Sequence, residues 1–136
     1  MDQVAQLSFN RGDTGRAGEF LVMSRLSAIG LYCVHSDSYS DDIWVKLPDS
    51  SIFTMQVRAT SRKARPSNYG FKVPDCNAHV LAFVALDIER VLFMLPADTD
   101  KKFMRVKAVE MTEQAELCSL LHVLDKGFGV CPTAAD

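Results

Sequence analysis

Cysteine is sparse in this sequence and never paired at close range. Cys33, Cys76, Cys118 and Cys131 include no C-x-x-C, and His35, His79 and His122 are just as scattered. A zinc site would have to gather ligands from distant segments, so the thiols read as free, buried or idle side chains. Long apolar runs are missing as well. No stretch of about 18 apolar residues occurs, which argues against a membrane-spanning helix. The first residues, MDQVAQLSFNRGDTGRAGE, carry no apolar core of the kind a secretory signal needs, so a cytoplasmic location is expected. Internal repeats, low-complexity tracts and long linkers are absent. An excess of positive charge is absent too: the net charge is −2, which argues against coating nucleic acid through overall charge but leaves room for a local patch.

What is present belongs to a folded chain. Of 136 residues, 48% are apolar and 24% charged, enough for one domain (1–136) around one core. Residues 14–30 read as a helix, with Phe20, Met23 and Leu26, together with Val22 and Ile29, at helical spacing and Gly30 as a stop. LYCVHS (31–36) and DDIWVKL (41–47) read as short strands, and Pro48, Asp49 and Ser50 as a turn. SIFTMQVRAT (51–60) is a longer strand. Residues 79–86 and 90–95 read as an apolar hairpin. Residues 98–110 have no clear period. From Thr112 to about residue 126 a second helix is expected, with Leu117, Leu120, Leu121 and Leu124 on one face and Gly127 as its cap. Met55, Phe83, Phe93 and Met94 read as core. Helix, four or five strands, then helix implies an α/β or α+β sandwich: a mixed central sheet with helices on its faces.

Three places carry chemistry. Glu19 lies in the first turns of the opening helix, with Met23 and Leu26 at i+4 and i+7, so it points along the core-facing side. It is either a first-turn acid favoured by the helix dipole or a carboxylate that is paired or holds a cation. Asp42, after Asp41, opens a strand; it is either a turn residue or part of a site. Gln56 and Arg58 share one face of the strand 51–60 with Ile52 and Thr54, and two polar groups in succession on a central strand need partners. The turn at 48–50 makes 41–47 and 51–60 an antiparallel pair, which brings Asp42 near Gln56 and Arg58. A plain Asp42–Arg58 salt bridge is the reading without chemistry.

Residues 58–72 hold Arg58, Arg62, Lys63, Arg65 and Lys72, and no acid follows until Asp75. Pro66, Ser67, Asn68 and Gly70 interrupt regular structure, and Tyr69 and Phe71 interleave aromatic rings. Such a stretch is either a solvated loop or a set of phosphate contacts, with a ring against a sugar or base. Arg11 and Arg16 are expected to join the patch.

Taken together, GRAGE, DDIWV and MQVR resemble the PD-(D/E)XK nuclease superfamily. The likeness is nearer to the branch with glutamine in place of the second acid, found in some group I intron homing endonucleases, and the layout is similar to archaeal Holliday-junction resolvases. The order is Glu19, Asp42, then Gln56-Val57-Arg58, and the likeness spans about residues 12–98. The resemblance implies a restriction-endonuclease-like core and a Mg2+ or Mn2+ site held by Asp42, Gln56, the Val57 carbonyl and Glu19. It implies metal-dependent hydrolysis of DNA phosphodiesters, with Glu19, Asp42, Gln56 and Arg58 as catalytic residues. Arg11, Arg16, Arg62, Lys63, Arg65, Tyr69 and Lys72 would contact DNA. A homodimer or higher homo-oligomer would match the two-fold symmetry of DNA. The departure is Arg58, which stands where the family pattern has lysine. Arginine never deprotonates in proteins and prefers bidentate contacts. The alternative is therefore a catalytically inactive nuclease fold that binds DNA or protein.

Overall fold

The computed structural model describes residues 11–36, 41–63, 66–75 and 77–130, with the backbone alone for 11–13. The chain opens with helix α1 (Arg11–Ala28), followed by strands β1 (Tyr32–His35), β2 (Ile43–Lys46), β3 (Ile52–Thr60), β4 (Asn68–Lys72), β5 (Val80–Ala85), β6 (Arg90–Met94) and β7 (Phe103–Lys107), and helix α2 (Glu113–Phe128). Five strands form a mixed sheet in the order β1-β2-β3-β5-β6. Only β3 and β5 run parallel; the other three pairings are antiparallel. The parallel pair needs a crossover, and β4 lies within it, pairing instead with β7 in a separate two-stranded ribbon.

Helix α1 is anchored by a narrow stripe. Val22 and Leu26 are fully buried, and Gly18 one turn earlier lets the helix touch the sheet. A Cβ at Gly18 would lie 2.6 Å from the Cβ of Ala59, so only glycine fits this approach. The stripe 18, 22, 26 turns Phe20 and Ile29 outward, 53% and 45% exposed, against the sequence reading that placed them on the core face. Gly30 (φ 90) ends the helix: Leu31 N–H donates to Leu26 O at 3.0 Å and Gly30 N–H to Ser27 O at 3.0 Å, a paired carbonyl cap at a left-handed residue.

Both helices lie on one face of the sheet, not on two. Val22, Leu26, Met55, Val57, Ala82, Val84, Val91, Phe93, Leu120, Val123 and Leu124 form one continuous core there. In α2 the buried face is Leu120, Val123 and Leu124, whereas Leu117 and Leu121 face outward. Thr112 caps the helix start by accepting from Ala115 N–H at 3.0 Å. The end cap is Gly129 (φ 65) rather than Gly127, which stays helical against the Leu95 side chain. Glu116 ties three elements. Its Oε1 accepts from Val91 N–H at 2.8 Å, and its Oε2 lies 2.9 Å from Arg25 Nε, an ion pair whose angle is too bent for a hydrogen bond. Arg25 Nη2 donates to Glu89 O at 2.6 Å. Ser119 Oγ accepts from Phe93 N–H at 3.0 Å, so α2 satisfies the donors of edge strand β6.

The second face is covered differently. Tyr69, Phe71, Val106 and Met111 pack on Leu81, Phe83 and Ala85. The basic stretch expected to be a loop is thus partly strand, as is the region 98–110 that lacked a clear period. Alternation explains both: in β4 and β7 every second residue is apolar, but each strand has only 5 residues, too short to stand out. At the β1–β2 end this face stays open, with Tyr32, Val34, Trp44 and Ile52 exposed.

Candidate functional site

The site forms where β2 begins alongside the middle of β3. Asp42 N–H donates to Met55 O at 3.0 Å, and Asp42 Oδ2 accepts from Val57 N–H at 2.8 Å. Asp42 is therefore fixed against β3 by its main chain and its side chain together. Burial pushes its carboxyl above the ordinary range, while the Val57 N–H and then the Arg58 charge pull it down without cancelling the rise.

Glu19 arrives from α1. Its Oε1 is bonded to His35 Nε2, at the end of β1, and Phe20 stacks on the same imidazole with centroids 5.6 Å apart. Burial pushes the Glu19 carboxyl upward, the His35 bond lowers it, and the charge of Asp42 raises it again. The Asp42 charge thus disfavours that of Glu19, and the Asp41 charge adds to the burden on Asp42. Such an arrangement is relieved by a cation or a shared proton.

Gln56 is buried, 6% exposed, and its Oε1 is a buried acceptor with no hydrogen-bond partner among the described residues. An orphaned buried carbonyl oxygen is uncommon in a folded protein and is explained by a donor or ion that binds there. Arg58, two residues on, is half-buried. Among the described residues it forms no ion pair with Asp42 or Glu19, so the simple Asp42–Arg58 salt bridge is not made. Also among the described residues, no three His, Cys, Asp or Glu side chains already converge on one point. Oxygen donors other than carboxylates, the Gln56 amide and main-chain carbonyls, would have to complete any ion site.

Beside these residues lies an open cleft of about 1120 Å³, lined by Val57, Arg58, Lys72, Lys101 and Lys102 among others, with Asp75 as the one acid among the described lining residues. Lys101 and Lys102 had no place in the sequence reading. They reach the cleft because β7 pairs with β4: Lys72 is the register partner of Phe103, and Val73 N–H donates to Lys102 O at 2.9 Å. Arg62 and Lys63 follow β3 and are exposed, and Arg16 is exposed on α1. The Arg11 side chain and Arg65 lie outside the described residues. Tyr69 corrects the expectation placed on it. It is 1% exposed, and its hydroxyl donates to the Asp87 carboxylate at 2.9 and 3.0 Å, with burial pushing its pKa to about 12. Phe71 is likewise core. Neither ring can stack on a nucleotide. His35 was the other residue missed. Its spacing in the sequence carries no sign that it would meet Glu19.

No family model matches the chain, and no curated protein matches it. Among solved structures the chain is similar to a bacterial homing endonuclease, I-Ssp6803I. The TM-score is 0.71 at 11% identity, over 90% of this chain and 96% of that one. At that identity the likeness is one of fold: a mixed sheet flanked by helices, of a nuclease-like kind. Among the described residues no helix is long and apolar enough to cross a membrane.

Proposed function

We propose that this chain is a divalent-metal-dependent endonuclease that hydrolyses DNA phosphodiesters through a site of the PD-(D/E)XK kind. The observation that carries this reading is the Gln56 Oε1: a buried oxygen without a partner among the described residues, one residue before the Val57 N–H that holds Asp42, in a site whose Asp42 and Glu19 carboxyls are both disfavoured as charges by burial. That donor set is all oxygen, which suits Mg2+ or Mn2+. Asp42, Gln56, the Val57 carbonyl and Glu19 are the residues that would hold the ion. When bound, the ion supplies polarisation of the scissile phosphate and a lowered pKa for an attacking water.

The chain's own side chains do the rest. Asp42 is oriented by the Val57 N–H, so its free oxygen is presented in one direction. Glu19 is held by His35, at the end of β1. Arg58 has no carboxylate partner among the described residues, and its planar donors suit a phosphate oxygen carrying developing charge. The exposed Arg16, Arg62 and Lys63 contact flanking phosphates, and the chain works as one nuclease domain in a homodimer or larger homo-oligomer. The structural neighbour is a homing endonuclease, which supports DNA as the substrate.

Arg58 favours one second reading, an inactive nuclease fold that binds DNA or protein, because arginine cannot serve as the neutral amine that a lysine can become. Plasmid cleavage with Mg2+ or Mn2+ separates the two. The active reading predicts nicking by the wild type, none by Asp42→Ala, and faster cutting by Arg58→Lys. Cleavage retained in Asp42→Ala would remove the site. Cutting by Arg58→Lys alone would establish the inactive reading for the natural chain.

A further inference from the structure

The β4–β7 ribbon has two unlike faces. Its inner residues, Tyr69, Phe71 and Val106, are buried in the second core, with Met104 packed against that core. Its outer positions are Asn68, Gly70 and Lys72 on β4, and Phe103, Arg105 and Lys107 on β7. Register sets them side by side: Asn68 with Lys107, Gly70 with Arg105, Lys72 with Phe103. Three cations share this face, and neither strand contains an acid. Lys101 and Lys102 extend the charge at the end where Lys72 turns into the cleft beside Arg58. Phe103 is 48% exposed, and the Arg105 guanidinium lies over its ring, 5.8 Å from the centroid. That contact limits the freedom of Arg105 and points to a surface already ordered before binding. The core requires none of these outer side chains. Their shared sign, in a chain of net charge −2, calls for an anionic partner.

We infer that the outer face of the β4–β7 ribbon is the surface that docks on duplex DNA, with Lys72, Arg105 and Lys107 on the DNA and Lys101 and Lys102 leading the cut strand into the cleft. The inference rests on the reading of the chain as acting on DNA. It adds a binding element outside the Glu19–Asp42–Gln56–Arg58 site and distinct from the exposed Arg62 and Lys63. A two-stranded antiparallel ribbon is one of the shapes that the wide major groove of B-DNA admits. The deep, narrow major groove of A-form RNA does not admit it.

The test is binding of a fluorescein-labelled 30-base-pair DNA duplex of random sequence in EDTA, so that no cleavage intervenes. Wild type, Arg105→Ala/Lys107→Ala and the remote Lys126→Ala are titrated across a range of KCl. The double variant is expected to bind about tenfold or more weakly, with the slope of log affinity against log salt reduced by about 2, roughly one per lost phosphate contact. Lys126→Ala is expected to match the wild type. Unlabelled RNA duplex is expected to compete poorly. Unchanged affinity and slope in the double variant, an equal loss in Lys126→Ala, or equal competition by RNA duplex would each overturn the inference. Should the alanine pair lower the melting temperature, Arg105→Gln/Lys107→Gln removes the charges while keeping part of the aliphatic stems, and gives the same reading. The nuclease proposal fails separately. A chain that binds through the ribbon but never cuts plasmid loses only the catalytic reading, and a chain that cuts while the ribbon variants bind normally loses only this one.

Discussion

The two faces of the central sheet are held by different means. On the helix face, α1 and α2 close over a continuous apolar core, and the buried Glu116, with the partly exposed Arg25, ties both helices to the β5–β6 hairpin. The second face is held by the small β4–β7 ribbon at one end and left open at the other; Gln56 and Arg58 alternate with Val57 and Ala59 and so turn to it, and the basic cleft opens between the ribbon, the end of β3 and the start of α1. Asp42 and Glu19 meet at the boundary. Burial on the helix face yields stability. Burial at the boundary yields two carboxyls and an amide oxygen that the metal-free chain satisfies poorly. A protein that tolerates such groups has a use for them beyond folding.

Three substitutions break or sharpen that contrast. Gly18→Val places branched carbons where even a Cβ meets Ala59 at 2.6 Å, and prying α1 from β3 is expected to cost about 3 kcal/mol or more. Chemical denaturation reads it, and a loss under about 1 kcal/mol would mean that α1 rides on the sheet more loosely than its glycine contact implies. Glu116→Ala leaves the Val91 N–H without its acceptor and the Arg25 guanidinium without its carboxylate, though Arg25 Nη2 keeps Glu89 O. The expected loss is about 2 kcal/mol, held down because Arg25 is partly exposed and can turn to water. An unchanged midpoint would show that α2 is held by its leucines alone.

Asp42→Asn is expected to do the opposite. Asp42 and Glu19 both have pKa values raised above the ordinary 3.8 and 4.5. The stability such groups contribute is fully present below those ordinary values and is lost as pH rises through the raised ones. At neutral pH, both charges are therefore a burden on the metal-free fold. An asparagine can still accept the Val57 N–H. Its melting temperature without divalent ions at pH 7 is expected to exceed that of the wild type by about 2–4 °C, and the gap should close towards pH 4. A variant less stable than the wild type at pH 7 would show that the Asp42 charge is well satisfied.

Much of the frame was legible before any coordinates. Apolar alternation marked β2 and β3, two continuous apolar runs marked the β5–β6 hairpin, and the turn at 48–50 fixed β2 and β3 as an antiparallel pair, which is why Asp42 does meet the Gln56–Arg58 segment. The errors have one cause: a face is decided by what lies opposite it. Phe20 and Ile29 had the right period for α1, but Gly18 rotates the helix so that 18, 22 and 26 make the contact. Leu117 and Leu121 lost to Val123 for the same reason. Tyr69 was expected on DNA because it lies among lysines and arginines, yet β4 pairs with β7, and a residue whose partner strand lies far downstream cannot have its face assigned from local pattern. That pairing also hid Lys101 and Lys102. Orphaned acceptors such as Gln56 Oε1 are invisible in a sequence, since a missing partner is a fact about three dimensions.

The most direct test of the account is calorimetric titration of Mn2+ into the wild-type chain and Asp42→Ala at neutral pH without DNA. Saturable binding to the wild type, abolished in Asp42→Ala, is the result predicted from Asp42, Gln56 and Glu19 as an ion-holding set. Equal binding by both proteins, or none by the wild type, would contradict it.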